Sequence, residues 1–158
     1  MTFQTDPDIA AFFATLPPMP EELFDESVPL QRKVDLLREG SRRDSEQLAA
    51  RPFDGSVEPI DLEGRSGTIS ARLYRPARQA EGVRGVAVWF YGGGMMLGDL
   101  DKAHHDAAEL AEVAGVPVVT ATYRLAPEHP FPAGVEDAFD AVAYVARHGE
   151  RWGLATER

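Results

Sequence analysis

The sequence contains no cysteine. Disulfides, a thiolate nucleophile and a cysteine-ligated metal are therefore excluded, and a reducing cytoplasm is the compartment this fits. No apolar run approaches the roughly 18 residues of a membrane-spanning helix, so no span is expected. Basic side chains are scarce: 16 Lys and Arg stand against 26 Asp and Glu, a formal net charge of -10. Phosphate backbones and anionic lipid surfaces recruit clustered Lys and Arg, so neither nucleic acid nor an anionic membrane is an expected partner. The first residues, Met1–Ala14, lack a basic n-region and do not read as a secretory leader. Internal repeats and low-complexity tracts are absent as well.

What remains is a globular composition. The 158 residues are 44% hydrophobic and 27% charged, and taken alone this length reads as one domain. Residues 1–50 read as two helices. Asp6 and Pro7 suit the N-cap and first position of a short helix through Leu16, which Pro17, Pro18 and Pro20 end. Ser27 is the expected cap of the second helix, with Leu30, Val34, Leu37 and Leu48 on one face. Charged residues, Arg32, Lys33 and Arg38 among them, cover the other face.

After Arg51-Pro52 the pattern changes from period 3.6 to period 2. Ser56–Glu63 and Thr68–Tyr74 read as strands joined by the turn Gly64-Arg65-Ser66-Gly67. Gly85–Phe90 is a continuous apolar run, the pattern of a strand covered on both faces, with Trp89 in the core. Lys102–Ala114 reads as a helix capped by Gly115. Val116–Thr122 is a second buried strand. Gly134–His148 is an amphipathic helix whose stripe Val135, Phe139 and Val142 is expected to pack into the core. A hairpin followed by strand, helix, strand and helix predicts an α/β sheet with an antiparallel beginning.

The chemistry-bearing loop is Tyr91-Gly92-Gly93-Gly94-Met95-Met96, directly after the apolar strand. Three glycines expose backbone N–H groups with no side chains in the way, and such donors can approach a developing negative charge. A plain strand-to-helix connection is the competing reading. A phosphate loop is a third, but the segment matches neither GxGxxG nor GxxxxGK[ST]. A second segment, Tyr123-Arg124-Leu125-Ala126-Pro127-Glu128-His129-Pro130-Phe131-Pro132-Ala133, is followed by Glu136-Asp137.

Together these segments resemble the hormone-sensitive-lipase-like family of α/β-hydrolases, the bacterial carboxylesterases and acetyl hydrolases. In that family an HGGG loop precedes the first core helix and a YRLAPEHPFPA segment follows the next strand. The resemblance covers about residues 50–158. It implies an α/β-hydrolase fold stopping before the nucleophile-elbow strand, with residues 1–50 as a helical cap and residues 51–158 as the N-terminal half of the core. It implies that the backbone N–H groups of Gly93 and Gly94 form the oxyanion hole. Tyr91, Gly92, His105 and Asp106 would support that loop. Glu128 and Asp137 would be structural acceptors beneath the site. No metal or organic cofactor is implied, and the substrate would be a small-molecule ester.

Three departures qualify the likeness. Tyr91 stands where the family usually has His. Met95-Met96 stands where a larger or aromatic apolar residue is common, and two flexible thioethers would widen an acyl pocket. Most important, no GxSxG elbow occurs among the 158 residues. Ser66 lies in a turn of the wrong spacing. The family's elbow would follow the stretch that ends this sequence, with the triad Asp and His further on. None of the triad is therefore present, and an inactive, shortened hydrolase is expected.

The remaining titratable groups carry less. His104, His105 and Glu109 do not make an HExxH motif, so no metal site is expected. His129 as a general base would have no nucleophile to activate. His148 suits the end of a helix dipole. Segments Leu16–Leu23 and Leu30–Leu37 either line the acyl side of a pocket, as the family's cap does, or simply pack as helices. A non-catalytic binding or scaffold module that keeps the oxyanion loop is the alternative function. The strand before that loop would lack its partner, leaving Val86–Phe90 as an open edge that invites self-association.

Overall fold

The computed structural model describes residues 6–16, 18–49, 52–82 and 84–156. The chain divides into two compact units, Met1–Leu36 and Leu37–Arg158. The first holds helix α1, Pro7–Thr15, a 3₁₀ turn at Glu21–Leu23, and the start of helix α2, Leu30–Ala49. Asp6 closes the N-terminus of α1 by accepting the N–H of Asp8 at 2.9 Å. Ser27 does not cap α2. Its N–H and hydroxyl both donate to Asp25 Oδ1, at 2.8 and 2.7 Å, in a local turn that competes with the cap geometry. The side chain of Leu48 lies outside the described residues.

The second unit is a sheet with a helix on each face. Strands β1, Ser56–Gly64, and β2, Gly67–Arg75, form the expected hairpin, in unbroken register from Ser56↔Arg75 to Gly64↔Gly67. The two-residue turn Arg65-Ser66 fixes that register. Alternation puts Ile60, Leu62, Ile69, Ala71 and Leu73 on the buried face. Arg65 ties the turn to helix α4 (Ala133–His148): its N–H and guanidinium both donate to Asp140, at 2.8 Å each.

Strand β3, Ala87–Trp89, leads into helix α3, His104–Ala114, which crosses to strand β4, Val118–Ala121. β4 pairs antiparallel with β2 and parallel with β3, giving the order β1-β2-β4-β3. All four residues of β4 are buried, as its apolar run predicts for a central strand. Small residues let both helices approach closely. Ala107, Ala108 and Ala111 of α3 pack on Tyr74 and Val118. Ala141, Tyr144 and Val145 of α4 pack on Leu62, Leu73 and Val119 on the opposite face. Gly115 ends α3 in the left-handed region, at φ 64°, as expected.

Two expectations about the core fail. β3 is the outer strand among the described residues, so its apolar run is only half covered, and Trp89 is 38% exposed. The stripe Val135, Phe139 and Val142 faces outward, with Phe139 63% exposed. α4 turns a different face to the sheet, built from Gly134, Asp137, Ala141, Tyr144 and Val145. Asp137 joins the buried face because Arg124 satisfies its charge there.

Candidate active site

β3 delivers the chain into the glycine loop at the sheet edge. Gly93 has φ 155° and Gly94 φ 61°, and Met95 follows in the left-handed region at φ 61°. Only glycine adopts the first of these readily. A Cβ on Gly93 would lie 2.1 Å from the Leu97 carbonyl oxygen, whereas Gly92 and Gly94 have nothing within 4 Å of theirs. The tightness at Gly93 arises because its carbonyl accepts from Met96 N–H at 3.1 Å and from Leu97 N–H at 3.0 Å, curling the loop back. Among the described residues, the N–H groups of Gly93 and Gly94 have no acceptor.

The glycines border an open, mostly apolar depression of about 350 Å³, lined also by Phe90, Tyr91, Met95, Tyr123, Gly134 and Ala138. Its lining offers few polar groups besides these N–H donors. A smaller cavity of about 50 Å³ adjoins it under Met95, His129, Phe131 and Val135. A third, of about 160 Å³, lies by Ser66, Thr122, Arg124 and Asp137 and is more polar. Its Arg124 and Asp137 already satisfy each other.

Tyrosines and paired charges hold the loop. The Tyr91 ring is buried and stacks on Tyr123 at 4.7 Å between centroids. The Tyr123 hydroxyl donates to the Tyr91 carbonyl at 2.8 Å. Burial, reinforced by Tyr123, pushes the Tyr91 hydroxyl far above its ordinary pKa, so it stays protonated. Gly98, at φ 111°, leaves room for that ring, since a Cβ would lie 2.3 Å from it. The Met95 carbonyl accepts Ala126 N–H at 2.9 Å, joining the glycine loop to the Tyr123–Ala133 segment. Asp137 receives Arg124 N–H at 2.8 Å and its guanidinium at 2.9 Å. That pairing holds the Arg124 pKa above its ordinary value.

Glu128 accepts a bidentate pair from Arg38 at 2.7 and 2.8 Å. The same guanidinium donates to the Met96 carbonyl at 2.9 Å and the Ala126 carbonyl at 3.0 Å. Arg38 is thus no member of a merely solvated helix face. No local signal in the sequence shows this, because its partners lie 58 to 90 residues away. His105 and Asp106 lie in the first turn of α3. His105 Nε2 is 3.6 Å from Glu109 and lines a separate surface depression with Pro52, Ala108 and Glu112. Its neighbour His104 meets the Tyr74 hydroxyl at 3.2 Å, and burial, with Arg72 nearby, lowers its pKa. Among the described residues no three His, Asp or Glu side chains gather as metal ligands. Nor is any described helix long and apolar enough to cross a membrane.

Residues 87–158 match a family described as the alpha/beta hydrolase fold. The chain is 38% identical over 133 residues to the Mycobacterium tuberculosis protein named Esterase LipI, covering 81% of this chain and 41% of that one. The chain belongs to the hormone-sensitive-lipase-like α/β-hydrolase family. A second relative, named Ethyl acetate hydrolase, from Pseudomonas putida, is 35% identical, covering 75% of this chain and 39% of its own. The solved Pyrobaculum calidifontis esterase superposes with a TM-score of 0.75 at 34% identity, covering 96% of this chain and 45% of that one. The chain therefore spans about two-fifths of the length of the curated relatives it matches.

Proposed function

We propose that this chain supplies the oxyanion-binding half of a serine carboxylic-ester hydrolase acting on short-acyl esters. The observation that carries the reading is the pair of unoccupied N–H donors at Gly93 and Gly94 on the rim of an apolar depression. In such a reaction a serine oxygen attacks the ester carbonyl carbon, and the carbonyl oxygen takes up negative charge. The two N–H groups would hold that oxygen, and one such donor is worth about 10²–10³ in rate. Collapse of the intermediate releases the alcohol, and water then frees the acid from the acyl-enzyme. No metal or organic cofactor enters this scheme. The depression, at about 350 Å³, suits a small acyl group, with the Met95 thioether free to adapt.

Tyr91, Glu128 and Asp137 act in this reading by fixing loop geometry, while Gly92 lines the depression. His105 and Asp106, also expected to support the loop, sit elsewhere: His105 faces Glu109 beside a separate depression and Asp106 is exposed. Residues 1–50 form the cap segment and residues 51–158 the core half. The 158 residues hold no GxSxG serine, so on its own the chain does not turn over esters. The outer strand β3 gives it a surface for self-association. A cytoplasmic location goes with the cysteine-free composition.

The test is p-nitrophenyl acetate hydrolysis by the purified chain, with and without a serine-directed phosphonate. No phosphonate-sensitive turnover is expected. Turnover abolished by the phosphonate would overturn the inactive-alone reading. The alternative, a binding or scaffold module, is favoured by the same unoccupied donors if an ester or carboxylate binds without turnover. Coding sequence for a GDSAG-type elbow beyond codon 158 would favour the hydrolase.

A further inference from the structure

We propose that Arg38 is a positioning residue for the oxyanion loop, a role that rests on the reading of Gly93 and Gly94 just given. Arg38 lies in the part of α2 that belongs to the second unit. Its guanidinium binds both loops that wall the depression. Nε donates to the Met96 carbonyl at 2.9 Å, two residues beyond Gly94. Nη2 donates to the Ala126 carbonyl at 3.0 Å. Both terminal nitrogens bind the Glu128 carboxylate.

Geometry makes this more than a surface ion pair. The Arg38 side chain is 20% exposed, and two of its acceptors are backbone carbonyls. A carboxylate holds the fork in plane, and the planar fork then fixes where Met96 and Ala126 sit relative to each other. Ala126 N–H in turn holds the Met95 carbonyl at 2.9 Å. The left-handed residues Gly94 and Met95 are therefore gripped on their C-terminal side. The Gly93 carbonyl is bonded to Met96 and Leu97 N–H, so a displacement at Met96 passes directly to Gly93. Arg38 touches no reacting atom in this scheme. It fixes the peptide planes whose N–H groups would.

A lysine cannot replace it. An ammonium reaches one or two of these acceptors but does not reproduce the fork. Loss of the guanidinium leaves Glu128 and two carbonyls to rearrange or hydrate, and the loop gains freedom while the sheet beneath is untouched.

The experiment is hydrogen–deuterium exchange of the full 158-residue chain, read in peptides over Tyr91–Leu97 and over the β1–β2 hairpin. R38A is expected to speed exchange at Tyr91–Leu97 by about tenfold, with the hairpin unchanged. R38K is expected to fall between R38A and wild type. Millimolar guanidinium chloride is expected to restore part of the protection in R38A and to do nothing to wild type. E128Q, which keeps the two carbonyl bonds, is expected to give a smaller local effect, and it serves as the readout if R38A does not fold. Unchanged loop exchange in R38A, or equal acceleration in loop and hairpin, overturns the proposal. Should R38A not fold, unchanged loop exchange in E128Q does the same. Phenylphosphonate added to wild type separates the two readings. If it protects Tyr91–Leu97 in wild type and not in R38A, both stand. If it fails in wild type while R38A still loosens the loop, Arg38 positions the loop but the oxyanion reading falls.

Discussion

In G93A the new Cβ lies 2.1 Å from the Leu97 carbonyl oxygen, a backbone atom that cannot swing away. The residue would also be forced to hold φ 155°. Such a conformation costs a non-glycine residue about 1–3 kcal/mol. Relieving the clash breaks the bonds from Met96 and Leu97 N–H to the Gly93 carbonyl, at about 1 kcal/mol each. The sum is about 3–5 kcal/mol. For a chain of this size that is a Tm drop of roughly 6–20 °C. G94A has an open Cβ position but φ 61°, so it costs about 1–2 kcal/mol. G92A has neither problem and stays within about 0.5 kcal/mol of wild type. Thermal and urea unfolding followed by circular dichroism measure all three. If G92A is as damaging as G93A, or G93A is indistinguishable from wild type, the loop geometry described above is wrong.

Other expectations test other parts of the structure. L73A, at a fully buried site of β2, should cost about 2–5 kcal/mol in urea unfolding. F139A, on the outward face of α4, should cost far less than L73A in the same assay. Y123F removes the hydroxyl bonded to the buried Tyr91 carbonyl and should cost about 1–3 kcal/mol by the same measurement. The lowered pKa of His104 has a definite sign. The unfolded chain takes up its proton first, so stability is complete above the ordinary value of 6.5 and declines as pH falls through it towards the lower folded pKa. Melting curves across that range should show the decline, and H104Q should flatten it. Tyr74, Arg72, Asp101 and His105 are the titratable or charged neighbours to hold fixed. W89K should reduce any self-association seen in sedimentation velocity, because it places a charge on the outer strand.

The hairpin was legible because alternation and a two-residue turn are local signals. So were the crossover β3-α3-β4 and the glycine loop. The orientation of α4 was not. Its inward face relies on Gly134, Ala141 and Tyr144 and on a carboxylate, Asp137, none of which reads as strongly apolar. The outward Val135, Phe139 and Val142 read as the core instead. Trp89 reads as core from its apolar run, whereas the open edge expected for Val86–Phe90 is what β3 forms among the described residues. Within the site, Gly93 and Gly94 come from a motif and Asp137 from its neighbourhood. Arg38 has no local signature, because only the folded chain brings α2 to loops some 90 residues away.

If the N–H groups of Gly93 and Gly94 are preorganised donors for an oxyanion, they bind a phosphonate oxygen in the folded chain. Titrating the ¹⁵N-labelled chain with phenylphosphonate reads this residue by residue. Saturable downfield shifts of these two amide protons are expected, lost in G93A, with β1 and β2 unaffected. Shifts confined to other residues, or none at Gly93 and Gly94 in a folded chain, would contradict it.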